Sequence, residues 1–274
     1  MGDSSRDPSL VQNLKGHKKT INALRYLPNQ RDLLSCSDDH NLMLWNVSTK
    51  DARSFKFSGH TQQVTDLDYT SSRNLIASCS YDKTVRIWEP TVKGSCTQFI
   101  AHFSPVRTIS LSPTDQQMVT GSNDKSIKLW NLPKKKFLNS FTGHNNWILC
   151  ARYSIDGKYI VSSADDKTIK VWDPATKECV LTISNAKSSA LKLSMHPNGT
   201  SIAAAMASGS VRVYDIRTKK LQQHYILHNK ANDVCWHPMG KHMLSCGDDG
   251  SIKVLDALEG RPIYTLNDLA NQFH

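Results

Sequence analysis

Several things that other protein classes require are scarce or missing in this sequence. No run of about 18 apolar residues occurs, so no membrane-spanning helix is expected. The opening residues MGDSSRDPSL lack a basic segment followed by an apolar one, so no secretory signal is read there, and a soluble intracellular protein is expected. The seven cysteines form no C-x-x-C pair, which argues against a zinc site or a disulfide framework. Acid is also in short supply: 24 Asp and Glu stand against 34 Lys and Arg, leaving a net charge of +10 and pointing to an acidic partner.

What the chain has in abundance is self-similarity. The stretch GHNNWILCARYSIDGKYIVSSADDKTIKVWD, from Gly143 to Asp173, opens on Gly-His, passes through alternating apolar segments and an Asp-Asp turn, and closes on Trp-Asp. Five other segments repeat these landmarks. Their closing positions, Trp45, Trp88, Trp130, Trp172, Tyr214 and Leu255, stand 43, 42, 42, 42 and 41 residues apart. Such a segment is identified as a WD repeat, one four-stranded blade of a β-propeller. The expected fold is therefore all-β: a WD-repeat β-propeller with six recognisable blades over residues 9–267. Residues 1–8 read as a disordered N-terminus and 268–274 as a C-terminal tail.

One strand is left over. Leu10 to Leu14 alternates like a strand before the first repeat, and in WD-repeat propellers a surplus N-terminal strand of this kind usually completes the last blade. Either the ring closes with six blades and this extra strand, or it is an incomplete seven-bladed ring left open, with edges that invite a partner's strands. Cys36, Cys79 and Cys246 share one place in the second strand of their repeats and read as buried packing thiols. Trp236 aligns with Tyr26, Tyr69 and Tyr153 and reads as core.

Histidine, a hydroxyl residue, aspartate and tryptophan recur in register. The sets are His17, Ser35, Asp39 and Trp45; His60, Ser78, Asp82 and Trp88; His102, Thr120, Asp124 and Trp130; and His144, Ser162, Asp166 and Trp172. Ser, His and Asp suggest a nucleophile with its base. A catalytic triad occurs once per site, however, and this set occurs four times, as a hydrogen-bonded staple would. In the fifth repeat it vanishes together, leaving Ala186, Ala204, Ser208 and Tyr214; joint loss is cheap, whereas losing one partner strands buried polar groups at about 1–3 kcal/mol. The sixth keeps His228, Ser245 and Asp249 with Leu255 in place of Trp, so blades five and six are expected to be the softest. No catalytic residue, metal or cofactor is expected.

Charge is more discriminating. The turns between third and fourth strands carry Lys50 and Arg53; Lys93; Lys134, Lys135 and Lys136; Lys177; Arg217, Lys219 and Lys220; and Arg261. Propeller topology puts all six turns on one face, where they would attract an acidic partner in a salt-sensitive way. Nucleic acid ranks lower, because no stacking aromatics interleave these cations. On the opposite rim, Tyr81, Trp147 and Asp165 are the candidate partner contacts, with Trp147 as the anchor. No arginine appears among the rim positions read from the sequence, which argues against a phosphopeptide reader.

At finer grain, four stretches resemble the centriolar family called proteome of centriole protein one. They are DKTVRIWEPTVKGSCTQFIAH (Asp82 to His102), HNNWILCARYSIDGKYIVSSADDKTIKVWD (His144 to Asp173), LQQHYILH (Leu221 to His228) and LDALEGRPIYTL (Leu255 to Leu266). The resemblance runs over nearly the whole chain. It implies a non-enzymatic scaffold of centrioles, basal bodies or ciliary axonemes in the cytoplasmic cytoskeleton. Its implied partners are tubulin in the microtubule wall and other centriolar or ciliary proteins, with no membrane involved.

Overall fold

The computed structural model describes residues 11–29, 31–48, 53–70, 72–90, 94–184 and 187–267. They form 24 strands in six antiparallel sheets of four, each sheet built from consecutive strands. Blade 1 holds β1 (Ile21–Tyr26), β2 (Asp32–Ser37), β3 (Asn41–Asn46) and β4 (Ser54–Ser58); blade 2 holds β5 (Val64–Thr70), β6 (Leu75–Ser80), β7 (Thr84–Trp88) and β8 (Cys96–Ile100). Blade 3 runs through β9 (Val106–Leu111), β10 (Gln117–Ser122), β11 (Ile127–Asn131) and β12 (Lys136–Phe141), and blade 4 through β13 (Ile148–Tyr153), β14 (Ile160–Ala164), β15 (Ile169–Asp173) and β16 (Glu178–Ile183). Blade 5 has β17 (Ala190–Met195), β18 (Ser201–Met206), β19 (Ser210–Asp215) and β20 (Lys220–Ile226); blade 6 has β21 (Ala231–Trp236), β22 (His242–Gly247), β23 (Ser251–Asp256) and β24 (Arg261–Asn267).

Burial follows position in the blade. In blades 2 to 5 the second strands are covered on both faces and read as near-continuous buried runs, such as Ile160-Val161-Ser162-Ser163-Ala164, all buried. The outer strands alternate or lie open, as in Cys96–Ile100. Between blades, apolar side chains of one sheet interlock with those of the next. At the junction of blades 4 and 5, Val161, Ile169, Val171, Leu181 and Ile183 pack against Leu193, Met195, Ile202 and Met206. Comparable clusters join blades 1 and 2, 2 and 3, 3 and 4, and 5 and 6. Each buried Leu or Ile in them contributes roughly 1.5–3 kcal/mol relative to exposure.

The five clusters leave two sheet faces uncovered. On blade 1, Leu24 is 50% and Tyr26 66% exposed; on blade 6, Ile252 is 43% and Tyr264 41% exposed. The register makes these the counterparts of Ala151, Tyr153, Ile169 and Leu181 in blade 4, all of them buried. The side between blades 6 and 1 is thus the open side of the ring.

Three expectations need correcting. Residues 11–17 carry no strand, and the last sheet has its own fourth strand, β24, so no vacancy in it calls for a surplus N-terminal strand; Leu10 lies outside the described residues. Cys36 and Cys79 are fully buried, and burial pushes both thiols up, but Cys246 is only partly buried because no described residue covers its face of blade 6 as the next blade covers theirs. Trp236 is half-buried on the face of blade 6 that meets blade 5, stacking edge-on against His196 at 4.5 Å.

Candidate functional site

The repeated polar sets come together in blades 1 to 4. In each, the Trp Nε1–H donates to the Ser or Thr hydroxyl at 2.8–2.9 Å. The hydroxyl lies 2.7–2.9 Å from His Nε2, and His Nδ1 lies 2.7–2.9 Å from the Asp carboxylate. The chain is consistent if Nδ1–H donates to aspartate and Nε2 accepts from the hydroxyl, the neutral tautomer. Burial holds His102 and His144 below the usual histidine value against the pull of their aspartates. Burial also works against Asp39 and Asp124, yet hydrogen bonds from Lys18 N–H and His17, and from His102 and Ser126, hold each carboxyl down to about 2. The hydroxyls are sealed from solvent and engaged on both sides, which is the geometry of a staple rather than of a nucleophile awaiting substrate.

Blade 6 keeps three members: His228 Nδ1 sits 3.0 Å from Asp249 and Nε2 2.9 Å from Ser245, beside the buried Leu255. In blade 5, Ala204 and Tyr214 are buried and the Tyr214 hydroxyl finds no hydrogen-bond partner among the described residues. Ala186 lies outside those residues.

At the end of the ring that bears these histidines and aspartates, the mouth of the central channel is a cavity of about 420 Å³. Its lining has a structural origin. Every blade's first strand shows a register irregularity at its second residue, as between Ile21 and Ala23 or between Ile148 and Cys150. Bulges re-aim side chains. The residues at that position, Asn22, Thr65, Arg107, Leu149, Leu191 and Asn232, all line the mouth, together with Asp38, Tyr81 and Lys192. Arg107 is the cation that the rim positions of the sequence did not include. Its guanidinium carbon lies 5.1 Å from the Tyr81 ring centre and 5.8 Å from that of Trp147, and its Nε–H donates to Asn123 Oδ1 at 3.0 Å. Trp147 is 46% exposed. Asp165 is exposed and accepts from Ser189 Oγ at 2.7 Å, but makes no bond to Arg107.

Deeper in the channel, the fully buried Asp66 accepts from Thr108 Oγ1 at 3.0 Å and Ile109 N–H at 3.1 Å, and Arg152 Nη1 lies 2.8 Å away. Lys192 Nζ stands at 4.0 Å. Burial opposes the carboxylate, but Arg152 and Lys192 outweigh it and hold Asp66 far below the ordinary range. This network ties blades 2, 3, 4 and 5 together opposite the open side.

At the other end lie the turns between third and fourth strands. Arg53, Lys134, Lys135, Lys136, Lys177, Arg217, Lys219, Lys220 and Arg261 are all exposed; Lys50 and Lys93 lie outside the described residues. Two are offset locally, Arg217 by Asp215 at 3.1 Å and Arg261 by Glu259 at 2.5 Å. The lysines of blades 3 to 5 have no such carboxylate among the described residues. The antiparallel meander brings the turns between first and second strands to the same end, and these add the exposed Arg31, Arg73, Lys158 and Lys241, which the third-to-fourth turns alone did not include.

The family model for the WD domain, G-beta repeat, matches residues 8–46, 52–89, 94–131, 135–173, 177–215 and 218–256. The chain belongs to this WD-repeat family. Among curated proteins it is similar to the POC1 centriolar protein homolog B of Danio rerio, 42% identical over 57 residues, and to the POC1 centriolar protein homolog A of Xenopus laevis, 44% identical over 57 residues. Each match covers 21% of this chain, and 11% and 13% of those proteins respectively, far less than the near-complete resemblance read from the four stretches. Among the described residues no group of His, Cys, Asp or Glu is placed to hold a metal ion, and no helix is long and apolar enough to cross a membrane.

Proposed function

We propose that this WD-repeat propeller is a non-enzymatic scaffold of centrioles that binds the microtubule wall through its basic end. The observation that carries the reading is the run of exposed lysines without a local carboxylate partner in the turns of blades 3 to 5, Lys134, Lys135, Lys136, Lys177, Lys219 and Lys220. Such a surface attracts an acidic partner at long range, and tubulin offers one. Similarity to proteins named as centriolar supports the setting, and basal bodies and ciliary axonemes are the wider places where the same chemistry would serve. Neighbouring wall proteins would meet the rim at Tyr81, Trp147 and Asp165. Nucleic acid remains the less favoured partner of the basic end.

Co-sedimentation with microtubules over a salt series tests the reading. Binding is expected to fall steeply as salt rises, and to weaken when Lys134, Lys135 and Lys136 are neutralised together. Salt-insensitive binding, or equal binding by the neutralised variant, overturns it. A general adaptor role is the second reading, favoured by the exposure of Trp147; microtubule-independent partners lost on Trp147→Ala would support it.

A further inference from the structure

The rim holds a more specific device than an exposed aromatic. Arg107 is aimed into the channel mouth by the bulge of its strand, and residues of the blades on either side bring Tyr81 and Trp147 against it. Its Nε–H is spent on Asn123, while Nη1 and Nη2 donate to nothing among the described residues. Two aromatic rings lie within 6 Å of its guanidinium carbon, and its two terminal nitrogens stay available to a ligand in the channel mouth. Those nitrogens make a planar two-pronged donor whose best match is a carboxylate in the same plane. The second cation in the cavity, Lys192, lies deeper beside Asp66, and Leu149 and Leu191 line the same space with apolar surface suited to a methylene stem. The acid on the blade 1 side, Asp38, is held by Asn22 and would repel a second negative charge there.

We propose that Arg107, clamped between Tyr81 and Trp147, receives one glutamate or aspartate side chain of an extended acidic peptide segment from a partner protein, with glutamate favoured by the leucine wall. The cavity has room for a side chain rather than for a folded surface. The inference rests on the rim being a partner site and adds the chemistry of the partner; it is independent of the basic end.

Panning a random peptide library displayed on phage against the whole chain, with counter-selection on Arg107→Met, tests it. Enriched peptides are expected to carry Asp or Glu at one fixed position. By fluorescence anisotropy, a twin with that residue made neutral should bind about tenfold or more weakly. Arg107→Lys, which keeps the charge but loses the fork, should lose a comparable factor while unfolding at the wild-type denaturant midpoint. Tyr81→Leu should cost less, because the cation stays and only its clamp loosens. No enriched acid, equal binding to Arg107→Lys, or a phosphoserine twin binding tenfold more tightly than the glutamate peptide would overturn the proposal. Peptides that need Trp147 but no acid would defeat the carboxylate chemistry alone, whereas no rim-dependent peptide at all would defeat the rim reading. Microtubule binding by Arg107→Lys should be unchanged in every case.

Discussion

The trailing faces of blades 4 and 6 carry the same kind of side chains at the same register, yet only one of them is a core. Val161, Ile169, Val171, Leu181 and Ile183 are buried against blade 5. Their counterparts Leu244, Ile252, Val254, Tyr264 and Leu266 range from half-buried to exposed, because no sheet among the described residues packs on them. Apolar alternation therefore specifies a strand that can pack on both faces, and the neighbour decides whether it does. The Asp66 network reinforces the contrast, since it welds the blades on the closed side and has no equivalent across the open one among the described residues.

The largest effect expected from this asymmetry is at Asp66. Asp66→Ala leaves Arg152 and Lys192 buried beside each other without their carboxylate, and removing one partner of a buried ionic network costs about 3–5 kcal/mol. Denaturant unfolding should show that loss, and a variant within 1 kcal/mol of wild type would mean that water reaches the channel floor and screens the charges. Truncation then compares the two faces directly. Ile169→Ala should cost about 2–5 kcal/mol by removing packed core atoms, whereas Ile252→Ala should cost well under half as much by the same measurement. Equal costs would mean that the blade 6 face is covered in solution.

Acidification separates the blades by a different route. Asp39 and Asp124 titrate near 2 in the folded protein, below the ordinary carboxylate value, so the unfolded state binds more protons between about pH 4 and pH 2. Their stabilisation is present above that window and lost as pH falls through it, by up to roughly 2 kcal/mol for each group. His102 and His144, held neutral by burial, begin the loss earlier: unfolded histidines protonate below about pH 6.5 while the folded ones resist. Blade 5 lacks the set. Hydrogen exchange followed by mass spectrometry at pH 7 and pH 4 should therefore show protection falling in blades 3 and 4, which hold His102 and His144, and changing least in blade 5, with the loss from Asp39 in blade 1 following only below pH 4. At neutral pH, blade 6, without its tryptophan and packed by a described sheet on one face only, should exchange ahead of blade 4. Uniform exchange across the ring would break the comparison.

The blades and the polar staples were legible because each is a local pattern repeated at a fixed spacing, and repetition separates scaffold from chemistry. What escaped was set by long-range geometry. Asp66 and Arg152 are 86 residues apart and leave no periodic trace. Arg107 was missed because a bulge is a mismatch between two strands, invisible in either alone; the usable signal was the second residue of each first strand, not the loop before it. Cys246 was assigned to the core by alignment with Cys36 and Cys79, which carries no information about what packs on its face of blade 6.

The smallest effect on stability offers the cleanest test of the basic end. Lys135, Lys177 and Lys219 occupy turns between third and fourth strands with φ of 52°, 66° and 58°, the left-handed region that favours glycine. Lys83, Lys125 and Lys167 occupy turns between second and third strands at the other end, with φ of 69°, 69° and 64°. All six are exposed. Replacing each triplet by glycine removes three charges while relieving backbone strain, so each substitution should change stability by no more than about 1 kcal/mol, in either direction. The two triple variants thus share net charge and backbone consequences and differ only in which end loses its cations. Microtubule co-sedimentation at low salt should weaken several-fold for the Lys135, Lys177 and Lys219 triplet and hardly at all for the other. Equal loss in both would assign the attraction to net charge, and the basic end would no longer be the contact.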